Sequence, residues 1–181
     1  AQPKRVLMVG LGGGGFPRLF TEAFTNTILQ TVEIDPAALQ IAKEHMDFRE
    51  SPRNIVTIMD GRRFVKKTKE TWDWVILDAF NAGEVPYHLK TQDYYLEISR
   101  ALSPTGILIC NLHKNNELFY ADVKTLTSTF PQVLFFQTPA RGNVIAVATP
   151  YPSPSAEEQV KSADLAAYPP ILTRYVDLNE V

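Results

Sequence analysis

Apolar residues along this chain fall in short unbroken runs, separated by stretches in which they recur at helical spacing. Val6-Leu7-Met8-Val9 is such a run and ends in glycines, which predicts a strand buried on both faces. Residues 31–34, 55–58, 74–77 and 107–110 are the next predicted strands. Between them the spacing predicts helices. One covers 17–24, with Pro17 near its first turn. Another begins at Asp35-Pro36, an N-cap followed by proline at the first helical position, and carries Leu39, Ala42 and Met46 on one face. A third spans about 62–69. A fourth is capped by Thr91 and shares a face among Tyr95, Ile98 and Leu102. Ser103-Pro104-Thr105-Gly106 reads as a turn. Phe119, Val123, Leu126 and Phe130 space a long helix after it. Residues 133–136 and 144–147 complete the set as an antiparallel pair across Pro139-Ala140-Arg141-Gly142.

Seven strands with helices between the first six imply an α/β fold. The expected architecture is Rossmann-like: an open, mostly parallel seven-stranded sheet with helices on both faces and an antiparallel end hairpin. The tail changes character. Five of the 13 prolines lie between Pro150 and Pro170. Ser155 and Glu158 form a capping box that predicts a helix over 155–167. The expected organisation is therefore one domain over 1–149 and a proline-rich extension with one helix over 150–181.

Composition narrows the classes. The 181 residues are 45% apolar and 21% charged, which is ordinary for a globular chain and argues against disorder. A net charge of −2 makes a general nucleic-acid surface unexpected. The single cysteine, Cys110, has no internal disulfide partner, which suits a reducing compartment. No apolar run approaches ~18 residues, so no membrane span is expected. Ala1-Gln2-Pro3-Lys4-Arg5 leads straight into the first strand, so no signal peptide is expected and the placement is cytoplasmic. A start without Met suggests a trimmed chain with something upstream.

Chemistry gathers at predicted strand ends. Five glycines in the six residues from Gly10 to Gly15 lie between a strand and a helix. There they permit a tight turn and close approach of a nucleotide-type ligand, with Gly10, Gly12, Gly13 and Gly14 nearest to it. Glu33 ends the second strand near the ~20-residue interval at which an acid meets ribose hydroxyls, and a carboxylate suits a vicinal diol. Asp35 competes but is better used as a cap. Asp60-Gly61 follows the third strand. Asp60 either accepts from an adenine amino group, with Gly61 passing near the ring, or merely caps a helix. Asp78 ends the fourth strand beside the expected switch point of the sheet, and opens a loop to Lys90 that is sited to cover a substrate. Phe80, Asn81 and His88 in that loop, with Tyr94 just beyond it, are the candidate substrate contacts. His88 as a plain surface histidine and either of Tyr94 and Tyr95 as packing remain open. Arg62, Arg63, Lys66, Lys67 and Lys69 read as a solvated basic face. Cys110 reads as core. No His/Cys cluster has metal-ligand spacing, so no metal is expected.

The glycine loop, Val32-Glu33-Ile34-Asp35, Met59-Asp60-Gly61, Leu77-Asp78-Ala79-Phe80 and the segment from Leu102 to Leu108 together resemble the spermidine synthase branch of the class I S-adenosylmethionine-dependent methyltransferase fold, over roughly residues 4–148. That resemblance implies a donor, S-adenosylmethionine or its decarboxylated form. It places the ribose on Glu33, the adenine on Asp60 and the transferred group beside Asp78, and it makes a methyl or aminopropyl transfer to a small acceptor, an amine among the candidates. Two departures stand out. Gly13 occupies the position of the acid that holds the amine of the decarboxylated donor in the family, and Asn81 that of a polyamine-binding acid. A buried cationic amine needs carboxylate partners, so orthodox spermidine synthesis is not expected. The family's small N-terminal β domain also has no counterpart in this chain. Two further readings stay open: a non-catalytic nucleoside-binding or regulatory module, and an NAD-dependent oxidoreductase. The oligomeric state is open as well, a homo-oligomer included.

Overall fold

The computed structural model describes residues 2–80, 84–137 and 143–151. Its strands are β1 Arg5–Val9, β2 Ile28–Glu33, β3 Asn54–Ile58, β4 Trp72–Leu77, β5 Leu102–His113, β6 Gln132–Gln137 and β7 Asn143–Thr149. Its helices are α1 Gly15–Ala23, α2 Pro36–His45, α3 Gly61–Lys67, α4 Gln92–Ala101 and α5 Phe119–Thr129, with one 3-10 turn at Tyr87–Leu89. The strands form one sheet in the order β3-β2-β1-β4-β5-β7-β6. The first five pair in parallel and β7 runs antiparallel to both β5 and β6.

Period-two alternation splits the core across the sheet. Leu7 and Val9 of β1 face a large cluster that includes Val65 of α3, Tyr95 and Ile98 of α4, and Leu126 of α5. Val6 and Met8 face Phe20, Ala23 and Phe24 on the α1 side. Both Phe20 and Phe24 meet the Trp74 ring edge-on, at 6.1 and 5.8 Å between centroids. Asp35 caps α2 by accepting from the Ala37 N–H, and Thr91 caps α4 by accepting from the Tyr94 N–H, both as the sequence predicts.

Three local expectations need correction. Ser103-Pro104-Thr105-Gly106 is not a turn that precedes a strand. It lies within β5 as a bulged excursion: Trp72 pairs with Leu102 but Trp74 pairs with Ile107. Gly106 makes this fit, because a Cβ there would lie 2.8 Å from the Trp72 carbonyl oxygen. Met46 does not join the apolar face of α2. It follows the helix and is 54% exposed, which leaves Ala42 as the buried residue of α2. β2 stops at Glu33, so Ile34 is exposed. The connection over Pro139-Ala140-Arg141-Gly142 and the predicted extension with its helix over 155–167 lie outside the described residues. No helix among the described residues is long and apolar enough to cross a membrane.

Asp73 ties the start of the sheet together. Its Oδ2 accepts from the backbone N–H groups of Lys4 and Arg5 at 2.7 and 3.1 Å, and its Oδ1 accepts from the Ser103 hydroxyl at 3.0 Å. Burial pushes its carboxyl upward, but these donors and the charge of Lys4 outweigh it and hold the group below the usual 3.8. A carboxyl lowered by folding contributes stability above its unfolded pKa and loses it as pH falls through the folded one. Asp73→Asn should therefore be less stable than the parent at pH 7. The gap should narrow below about pH 4, as read from urea melts across that range.

Candidate functional site

The sheet order reverses between β1 and β4, and the carboxyl ends of the strands on both sides of that point open into one cavity of about 760 Å³. That size suits a nucleoside with a substituent. Gly10 closes its floor. Its amide donates to the Val32 carbonyl at 2.9 Å, and it sits at φ +101°. A Cβ there would lie 2.4 Å from the Asp78 carbonyl oxygen, so only glycine lets the ends of β1 and β4 approach this closely. Gly12 and Gly13 line the cavity. Gly14 does not. It adopts φ +72° as the N-cap of α1, where a Cβ would collide with the Phe48 ring, so its part is to seat the helix.

Glu33 stands at the end of β2 with both carboxylate oxygens already aimed. Oε2 accepts from the Leu11 N–H at 2.8 Å and Oε1 from the Asp35 N–H at 2.9 Å. These contacts lock the carboxylate against the glycine loop, and each oxygen keeps a further lone pair. Asp60 caps α3 by accepting from Arg63 N–H at 2.8 Å, and it also lines the cavity with Gly61. Its second oxygen meets His88 Nε2 at 2.7 Å. Burial pushes the Asp60 carboxyl up, while the Arg63 N–H and His88 pull it down further, so it lies below the usual range.

Asp78 lines the cavity and caps no helix; its Oδ1 accepts from Asn111 Nδ2 at 2.9 Å. Asn111 Oδ1 in turn accepts from Asn143 Nδ2 at 2.7 Å. Phe80 lies at the same end, with its ring 4.7 Å from that of His113. Asn81 lies outside the described residues. Tyr94 requires a correction. It is fully buried and does not line the cavity, and burial pushes its hydroxyl far up. Tyr95 is core too, as is Cys110, whose thiol burial also pushes up.

The sequence reading missed Asn111, Asn143 and His113. For the first and last of these the signal is the alternation in β5: Asn111 and His113 are polar residues two apart at its carboxyl end, just past the apolar run 107–110. It also missed the partly buried ion pair of Lys90 and Asp122, 3.1 Å apart. Arg62 departs from the expected solvated face. It is held by Glu97 through two hydrogen bonds of 2.9 and 2.8 Å. That pairing raises the pKa of Arg62 and lowers that of Glu97. Among the described residues no group of three or more His, Cys, Asp or Glu is placed to hold a metal.

This sheet order, with β7 antiparallel and a nucleoside-sized cavity at the β1–β4 reversal, defines a Rossmann-like class I methyltransferase fold. The chain belongs to the spermine/spermidine synthase domain family, whose model matches residues 1–150. Polyamine aminopropyltransferase of Vibrio vulnificus is 30% identical over 99% of this chain and 65% of its own length. That of Chromobacterium violaceum is 28% identical over 81% and 57% respectively. The chain thus spans about three fifths of the curated relatives it matches. Among solved structures, human methyltransferase-like protein 13 in complex with SAH superposes with a TM-score of 0.79 at 24% identity, over 88% of this chain and 78% of that one. Spermidine synthase from Thermotoga maritima gives 0.72 at 21% identity, over 90% and 60%.

Gly10→Ala tests the floor of the cavity. The new Cβ meets backbone rather than a flexible side chain, and it does so at positive φ. A stability loss of about 2–4 kcal/mol in denaturant unfolding is expected; a change within about 0.5 kcal/mol would mean the loop yields without cost.

Proposed function

We propose that this chain is the nucleoside-binding, catalytic part of an alkyl transferase that uses S-adenosylmethionine or its decarboxylated form and delivers the group to an amine. The observation that carries this reading is the charge of the cavity. Glu33, Asp35, Asp60 and Asp78 line it, and no Lys or Arg does so among the described residues. Such a wall favours a cationic sulfonium donor and a cationic or amine acceptor. It disfavours the pyrophosphate of a dinucleotide, which counts against the oxidoreductase alternative. The glycine loop offers backbone without side chains: a Cβ at Gly12 would meet nothing within 4 Å.

In this reading Glu33 takes the ribose hydroxyls and the Asp60 end takes the base. The donor supplies a carbon bonded to positive sulfur, open to in-line displacement. Alignment and exclusion of water then carry most of the rate. Asp78 orients the attacking amine and accepts its proton as the new C–N bond forms and the C–S bond breaks. With Oδ1 engaged by Asn111, Oδ2 is the oxygen left for the substrate. Gly13 faces the Met46 methyl, which lies 3.1 Å from where a Cβ would be, so no carboxylate at this position holds the donor's amine. Weak or absent turnover of putrescine with the decarboxylated donor follows, and robust spermidine formation would defeat the argument from missing acids.

Two measurements test the reading. Glu33→Ala should weaken methylthioadenosine binding by about 2–4 kcal/mol in calorimetry, since it removes a charge-assisted contact to the diol and loosens Leu11. Unchanged binding would remove Glu33 from the site. Asp78→Asn should keep methylthioadenosine binding nearly intact and lower transfer in an amine-acceptor panel by roughly 10²–10⁴-fold. An unchanged rate would leave Asp78 structural, and no transfer by parent or variant with either donor would favour the non-catalytic binding module.

A further inference from the structure

We propose that Phe16 and Phe80 are specificity-determining residues for the acceptor: standing on the same side of the sheet as Asp78, they select a monoamine whose remainder is apolar, an alkyl- or arylalkylamine, over a diamine. The inference rests on the transferase reading of the cavity and deepens it by naming the class of amine.

The side of the sheet that α1 covers leads to this end of the cavity. Ile76 and Trp74 of β4 and Ile109 of β5 pack in one cluster with Phe20 on that side. Side chains two apart along a strand share a face. Asp78 follows Ile76 at that interval and Asn111 follows Ile109, and the two meet at 2.9 Å. Phe80 and His113 repeat the step, with their rings 4.7 Å apart. On the other flank Phe16 stands in the first turn of α1, its ring 5.5 Å from that of Phe20. Both Phe16 and Phe80 line the cavity with Asp78 and Ala79, and they are 47% and 36% exposed. Two aromatic side chains left open on the side of one carboxylate form a surface that gains by covering an apolar group.

Charge points the same way. Four acids line the cavity among the described residues. Three stand across the β1–β4 reversal from Asp78: Glu33 at the end of β2 holds the N–H groups of Leu11 and Asp35, Asp35 caps α2, and Asp60 past the end of β3 caps α3. Asp78 is therefore the one described acid of the cavity on the β4 side. With its Oδ1 engaged by Asn111, Oδ2 takes the amine's proton while the nitrogen lone pair forms the new C–N bond and the C–S electrons leave with the neutral thioether. A second ammonium on the same acceptor would lie against Phe16, Ala79 or Phe80 with no described carboxylate beside it, and taking that charge out of water unpaired is costly. A hydrocarbon or aromatic remainder carries no such cost and covers the two rings.

The test compares butylamine with putrescine, which differ only in the second amine, and adds phenethylamine. For the full chain, kcat/KM is measured with each donor, and binding of each amine is measured by calorimetry with the chain saturated by methylthioadenosine. Butylamine should exceed putrescine about tenfold or more in both readouts, and phenethylamine should do no worse than butylamine. Phe16→Ala and Phe80→Ala should each lower phenethylamine about tenfold, through KM more than kcat, while moving putrescine by no more than about twofold. Phe80→Asp, which sets a second carboxylate on this side, should reverse the order of butylamine and putrescine. A parent that prefers putrescine, or Phe variants that weaken every amine equally, overturns the proposal, and transfer to any amine in those cases leaves the transferase reading standing. If no amine is bound or alkylated with either donor, the transferase reading itself fails, and the inference with it.

Discussion

The contact on which this architecture turns is the approach of Gly10 to the carbonyl of Asp78. β1 lies at the middle of the parallel strands, between β2 and β4, and α1, which leads into β2, and α3, which leads into β4, pack on opposite faces of the sheet. The strand ends must separate there for a cavity to exist, yet remain paired below it. Asp78 N–H still donates to the Val9 carbonyl at 3.0 Å, while one residue further on a side chain at position 10 would collide with backbone. The absence of a Cβ therefore sets how narrow the floor is, and with it the distance between the Glu33 side of the cavity and the Asp78 side.

Around that floor the acidic groups are fixed by backbone donors rather than by cations. Glu33 holds two N–H groups, Asp35 holds Ala37 and Asp60 holds Arg63. Carboxylates satisfied this way keep their negative charge and their orientation without a lysine or arginine to neutralise them. The cations nearby are spent elsewhere: Arg62 on Glu97, and Lys90 on Asp122. A site built on this plan is preorganised for a positive ligand.

Much of this was legible in sequence because it is local. Strand and helix order follows from runs of Val, Ile and Leu set against helical spacing, and the Asp35 and Thr91 caps follow from residue type at a boundary. The glycine loop, Asp60 and Asp78 sit just past predicted strands and Glu33 near the end of one, positions that sequence alone can mark. What escaped depends on contacts distant along the chain. Tyr94 faces inward because α4 packs against α3 and the sheet, which the helical period alone does not orient. The excursion at residues 103–106 stays within β5 because Gly106 fits beneath Trp72. Asn111 and Asn143 are 32 residues apart and meet through the antiparallel register in which Asn111 opposes Ile145 and His113 opposes Asn143.

That register gives the end hairpin a part in the site beyond closing the sheet. The parallel half, β1 to β3, carries the groups suited to a nucleoside. The Asp78 end of the cavity depends on β5 and β7. Asn143 Nδ2 donates to the side-chain oxygen Oδ1 of Asn111, which leaves Asn111 Nδ2 to face Asp78. The direction of this chain turns the Asn111 amide, and not its oxygen, toward Asp78 Oδ1. Phe80, two residues further on, rests on His113, two residues beyond Asn111. The segment leaving β4 is thereby matched residue for residue to β5. A change at Asn143 in β7 would thus reach Asp78 through Asn111.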